Sequence, residues 1–242
     1  MNASNPKPKR GFSLMETVIA IAVVAVLLSG FLVVFAPAAA GIKESINSKA
    51  AARLVNTLEQ ELVSLRGLAQ STEFGTGFNK AYAYIRDSSG ANADDALLVY
   101  KYRASLTSSN RTDGTPDPVA NADNLIAGED FVVRNMMRRK GDPEFLNDLP
   151  AIEGQVYMVK CTQLILSDTG QLEPATPGQL ANASAPDTAV ADPDNYEHAV
   201  IAFVADFYTL PARGEAFFDS QFSNVFANAT RPAFSRNLAV RR

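Results

Sequence analysis

One cysteine, one histidine and no tryptophan occur in 242 residues, and each scarcity narrows the range of functions. Cys161 alone can form no intramolecular disulfide, so an oxidising compartment gives the fold nothing through it. Set in the apolar run 156–166, it reads as a small buried hydrophobe rather than a redox or metal group. Any Ser-His-Asp or Cys-His site has to use His198, and a histidine opening a strand candidate reads more simply as structural. A phosphate-binding loop is missing too, because Gly75-Thr76-Gly77 lacks the following lysine and helix start and reads as a turn after a helix. Excess positive charge is also absent. The 22 basic residues are outnumbered by 26 acidic ones, a net charge of −4, which argues against a generally nucleic-acid-binding surface. So thin a catalytic inventory predicts no enzyme.

What the chain does have is one long apolar run, 12–36, with a single charge, Glu16, near its start. About 25 residues at roughly 1.5 Å each suffice to cross a bilayer core of roughly 30 Å as a helix. Lys7, Lys9 and Arg10 in front of the run predict a cytoplasmic leader, with the bulk of the chain across the membrane. A carboxylate inside such a helix costs roughly 2.5–3.5 kcal/mol at mid-membrane, so Glu16 calls for a reason. Cleavage between Gly11 and Phe12 would supply a cationic partner: the new α-amino group lies four residues from Glu16, on the same helical face. Loss of the leader would also take the net charge to about −7.

The segment Lys-Arg-Gly-Phe-Ser-Leu-Met-Glu-Thr-Val resembles the class III signal of type IV prepilins and of the related pseudopilins of type II secretion. The resemblance covers only the leader and the first helix. It implies a basic leader at Lys7, Lys9 and Arg10, a scissile bond after Gly11, N-methylation of Phe12, and a role for Glu16 in assembly. It also implies the partners: a prepilin peptidase, other pilin or pseudopilin subunits, the inner membrane and an assembly platform protein. The expected product is a non-catalytic minor pilin or pseudopilin, held in the bacterial inner membrane by one pass with its head in the periplasm, then assembled into a filament. Two alternatives stay open. One is a soluble exported binding protein, cut by signal peptidase near 38–41, where Ala36-Pro37-Ala38-Ala39-Ala40-Gly41 offers small-residue sites; its apolar run is longer than the roughly 7–15 residues usual for such signals. The other is a membrane-anchored non-pilin domain that keeps residues 1–11.

Beyond the run, Ile46, Ala50, Leu54, Leu58, Leu62 and Leu65 recur at helical spacing among charged residues, which predicts an amphipathic continuation of the helix over 37–70. Pro37 and Gly41 predict a kink or short unwinding in it. Strands are expected over 81–86, 96–106, 131–139, 156–167 and 198–210. In the second of these, Tyr100, Tyr102 and Ala104 alternate with Lys101, Arg103 and Ser105, as in a sheet with one wet face. The fold class is therefore α+β: a long transmembrane-plus-amphipathic helix packed by its leucine stripe on an antiparallel β-sheet head, 71–242. Segments 107–130 and 168–197 read as long loops, and 221–242 as a polar tail docked by Phe222, Phe226 and Phe234. Asp192, Asp194, Asn195 and Glu197 group hard oxygen ligands as calcium requires, while Asp-Pro-Asp-Asn is equally an ordinary turn composition, and no cofactor is otherwise expected. Arg134 with 136–140 forms a short basic patch without the interleaved aromatics that stack on bases.

Overall fold

The computed structural model describes residues 14–167 and 170–242, without the side chains at 32, 34 and 36–52. The chain divides into two compact units, one ending at Ala50 and the other running from Ala51 to Arg242. Helix α1, Leu14–Val63, begins in the first and ends in the second. It passes through Pro37 and Gly41 without unwinding. A proline removes one intrahelical hydrogen bond and crowds one turn, and the helix-forming runs on either side outweigh that local cost.

The second unit continues with α2 (Gly67–Phe74), α3 (Gly77–Asp87), β1 (Leu97–Ser105), β2 (Phe131–Arg139), α4 (Pro143–Asp148) and β3 (Ile152–Leu166). It ends with β4 (Leu172–Pro174), β5 (Ala181–Asn182), β6 (Ala185–Ala189), β7 (Val200–Thr209), α5 (Glu215–Ser220), α6 (Phe222–Asn228) and β8 (Phe234–Arg241). The main sheet has the order β2-β1-β3-β7-β8 and is antiparallel throughout, with β4 extending the far end of β3. One register row, Arg139, Leu97, Val159, Phe207 and Phe234, crosses all five strands.

Both faces of this sheet are covered. On one, Leu54, Leu58 and Leu62 of α1 and Phe78, Tyr82 and Ile85 of α3 pack with Leu97, Val99, Val159, Ile201, Phe203 and Phe207. On the other, Phe145 of α4, Phe217 and Phe218 of α5, and Phe222 and Phe226 of α6 pack with Leu98, Tyr100, Tyr102 and Met158. Each fully buried aliphatic or aromatic side chain contributes about 1.5–3 kcal/mol, so the leucine stripe of α1 is a substantial attachment. The alternation read in β1 as one wet face is thus only partly realised: Leu97 to Tyr100 are buried on both sides, and Lys101 and Arg103 are half-buried.

Three further expectations are corrected. The strand expected over 81–86 is the body of α3, because Phe78, Ala81, Tyr82 and Ile85 recur every three or four residues, and Thr76 caps the helix by accepting from the Asn79 amide at 3.1 Å. The tail after 221 is not only docked by its rings but forms α6 and the edge strand β8. Part of 168–197 is ordered as β4, β5 and β6.

Helix α1 stops at Val63, short of the expected 70, where α3 crosses its end. A Cβ on Gly77 would overlap the Val63 carbonyl oxygen, so only glycine permits this approach. Lys80, 1 % exposed, donates its ammonium to Glu61 O at 2.9 Å and Ser64 O at 2.5 Å, satisfying carbonyls that a helix C-terminus leaves open. Burial lowers the Lys80 ammonium to about 8, with the Glu61 carboxylate acting in the opposite direction.

Candidate functional site

The described start of α1 presents an exposed apolar surface. Leu14–Phe31 has a mean hydropathy of 2.3 and no buried residue, long and apolar enough to cross a membrane. Leu14, Val26 and Leu27 are exposed, and the Phe31 and Phe35 rings stack with centroids 3.9 Å apart. The hydroxyl of Ser29 turns back onto the Ala25 carbonyl at 2.8 Å, which hides a polar group from an apolar surrounding. Glu16 stands in the first described turn of α1. Gly11, Phe12, Lys7, Lys9 and Arg10 lie outside the described residues.

In the head, the single-residue expectations take their places. Cys161 is buried within β3, and burial pushes its thiol up to about 12. His198 is exposed; its Nε2 accepts from the Ala183 amide at 3.3 Å and its ring meets Tyr196 edge-on. Asp192 caps a short turn through the Asp194 amide at 2.9 Å, the Asn195 carbonyl accepts from Asn182, and Glu197 accepts from the Ser184 hydroxyl at 2.8 Å. Among the described residues no three acidic, histidine or cysteine side chains converge as metal ligands.

Of the basic patch, Arg134 is exposed on β2, while Arg138, Arg139 and Lys140 are tied up in ion pairs. Arg138, 4 % exposed, reaches Asp113 at 2.7 Å and both Asp142 and Asp148 at 3.0 Å. Arg139 pairs with Asp87 and Asp95, and Lys140 with Asp94. Asp148 is wholly buried and also accepts from Tyr100 at 2.6 Å and Arg111 at 2.9 Å. This network, which draws Arg111, Asp113 and Thr115 out of the segment read as a loop, was not anticipated from the sequence. It borders a cavity of about 640 Å³ lined also by Leu68, Glu73, Phe74 and Glu144.

Asp113 gives the network an acid sensitivity. Burial raises its carboxyl, but the Thr115 hydroxyl at 2.6 Å, the Thr115 amide at 2.9 Å and the Arg138 guanidinium outweigh burial and bring it from 3.8 to about 2. The folded value lies below the unfolded one, so the contribution is complete above about pH 4 and is lost as pH falls through about 2. An acid titration followed by tyrosine-region circular dichroism is expected to lose structure across that window. In Asp113→Asn that component should vanish.

The N-terminal segment is the part that known sequences identify. Residues 6–32 match the family model of the prokaryotic N-terminal methylation motif, from the leader through most of the apolar run. This segment is a type IV prepilin-like class III signal. No curated protein and no solved structure shows a significant match to the chain. The class III signal supports a pilin- or pseudopilin-like substrate of prepilin peptidase, and indicates a structural subunit rather than an enzyme. Together with the exposed apolar helix it fits anchoring in the inner membrane followed by assembly with other pilins.

Proposed function

We propose that the chain is a minor pilin or pseudopilin, cleaved after Gly11, methylated at Phe12 and assembled into a type IV pilus or type II secretion-like filament. The observation that carries this reading is the class III signal, with Glu16 near the start of an apolar helical surface. In a filament that surface exchanges lipid for neighbouring helices, and Glu16 meets the α-amino group of a neighbouring Phe12, which fixes the register. The long segments between β1 and β2 and between β3 and β7 support a minor rather than a bulk subunit, because abundant filament proteins do better with compact heads.

The deciding experiment is mass spectrometry of the terminal peptide of protein isolated from its native membrane. A start at a methylated Phe12 is expected. A start near Ala39 or Gly41 would overturn the reading in favour of an exported soluble domain. Glu16→Ala is expected to leave membrane insertion intact and to reduce filament incorporation at least about tenfold, since an amine left unpaired in an apolar contact costs more than the ~1.4 kcal/mol that a factor of ten represents. Quantifying the variant in sheared filaments against wild type checks this. Incorporation at the wild-type level would refute the role of Glu16.

A further inference from the structure

The helices on the second face of the main sheet stop part-way along it. They cover Met158 on β3 and Tyr208 on β7, and the cover ends at Lys160, which donates to the Phe226 carbonyl at 2.7 Å. Past that row the face runs on without a layer among the described residues. Side chains alternate along a strand, and Cys161, Ile201, Phe203 and Val240 belong to the opposite core, which sends Leu164, Leu166, Val200, Ala202 and Val204 to this side. Leu172 faces Leu166 and Ala239 faces Ala202, so β4 and β8 extend the same surface. Leu166, Leu172 and Val200 are 61, 57 and 39 % exposed, and Leu164, Ala202 and Val204 are half-buried. The segment between β4 and β7 leaves the surface open, because its Leu180 and Tyr196 pack in the opposite core.

This surface has the footprint of one helix. Three inter-strand steps from β4 to β8 give a width of roughly 14 Å, and the stretch of β3 from Lys160 to Leu166 a length of roughly 20 Å. A helix with its side chains is about 10–12 Å thick. Ala202 and Ala239 keep the floor low on β7 and β8, so a helix can come close, as α4, α5 and α6 do on the covered half. The charge of the surface is one-sided. Arg241, opposite Val200 at one end, is exposed and forms no ion pair among the described residues. Asp206, the one acid on this part of the face, stands at the other end and accepts from the Ser235 hydroxyl. A second copy would therefore bring a like charge and no free carboxylate, whereas a different chain can supply one.

We infer that the uncovered half of this face docks one helix of a different pilin-like subunit, a helix with an apolar stripe and a carboxylate at the end that meets Arg241. The apolar contact with Leu166, Leu172 and Val200 supplies the affinity, and the Arg241 pair at one end sets which way the helix runs. The inference rests on the filament reading and adds the head surface through which the chain recognises its neighbour. Because the partner is another chain, the contact ends with this subunit instead of repeating along a filament, as the minor-subunit reading requires. The docked helix completes a layer that α4, α5 and α6 leave half-built.

The test places the photoreactive residue p-benzoylphenylalanine at Ala239 in the full-length chain, expressed in its native cells, and sequences the cross-linked peptide by mass spectrometry. The expected adduct joins Ala239 to an amphipathic, acid-bearing segment of a different chain that has its own class III signal. The same probe at Asn121, on the exposed stretch between β1 and β2, is expected to give no such adduct. With the probe at Ala239, Leu166→Asp should cut the adduct at least about tenfold and Arg241→Glu about threefold, while Arg241→Lys should retain it. Circular dichroism of each purified variant checks that the head is folded; both changed positions are exposed. An adduct to this chain itself or to lipid, no adduct at all, or a yield in folded Leu166→Asp equal to wild type would overturn the inference. The mature N-terminus of the same preparation separates the two readings. A Phe12 start without the adduct refutes only the docking face, whereas a start near 39–41 refutes the filament reading and the docking face with it.

Discussion

Asp148→Ala is expected to destabilise the head by about 3–5 kcal/mol, the usual cost of removing one partner from a buried charge network. The carboxylate is completely buried at the end of α4 and accepts from Arg111, Arg138 and Tyr100 at 2.9, 3.0 and 2.6 Å. Its loss leaves a buried phenol without an acceptor and two guanidiniums with fewer counter-charges, although Glu144, Asp113 and Asp142 remain. Burial, followed by the Asp148 charge, holds the Tyr100 hydroxyl well above its ordinary range, so the phenol stays a neutral donor and cannot relieve the change by ionising. Asp148→Asn keeps the shape and an acceptor but not the charge, and should fall between wild type and alanine. Tyr100→Phe removes one donor and leaves both ion pairs, so it should cost only about 1 kcal/mol. Urea unfolding of the detergent-solubilised chain, followed through its tyrosines, ranks the series. Domains of this kind have about 5–15 kcal/mol in hand, so the alanine variant should be visibly depleted. Equal stability of Asp148→Ala and Tyr100→Phe would show that the network is not a stabilising unit.

The second large effect is expected at Gly77. An added Cβ there would strike the Val63 carbonyl oxygen and come within 3.0 Å of the Val63 carbonyl carbon, both backbone atoms that cannot rotate aside. The start of α3 would have to retreat from the end of α1 and carry Lys80 away from the Glu61 and Ser64 carbonyls. Overpacking and loss of a charged hydrogen-bond donor together amount to about 2–4 kcal/mol for Gly77→Ala. Gly214 is the control. Its φ of −84° and ψ of 154° are extended, and no neighbouring atom lies within 4 Å of where a Cβ would stand, so alanine there should cost at most about 1 kcal/mol as a poorer helix cap. Thermal unfolding of both variants checks the order, and a larger loss at Gly214 would contradict the crossing geometry.

The legible parts of this chain are those written in local pattern. The apolar run with its lone Glu16 was readable because membrane insertion depends on composition over a contiguous stretch, and β2 was readable to the residue because turn formers bound it on both sides. α3 was misread because Tyr82, Tyr84 and Ile85 favour strands by propensity, while the decisive signals were the Thr76 cap and the three-and-four spacing from Phe78. β8 escaped because Arg236 and the exposed Ser235, Asn237 and Ala239 dilute the inward set of Phe234, Leu238 and Val240. Even the shortest link of the charge network, Arg138 with Asp142 four residues on, falls across the turn after β2 and leaves no periodic signal in the sequence. Asp148 and Asp113 lie ten and 25 residues away in sequence, and only the tertiary fold brings them to Arg138.

Cys161 has a practical consequence. Its sulfur is enclosed by β3 and its neighbours and stays protonated at neutral pH, so thiol-directed dyes and spin labels should pass it by while the fold is intact. A cysteine placed on the exposed stretch around Asn121 would then be the one reactive thiol of the molecule. The natural sequence can thus be tagged at a chosen point without first deleting anything from its interior, and a dye there can follow single molecules of this chain.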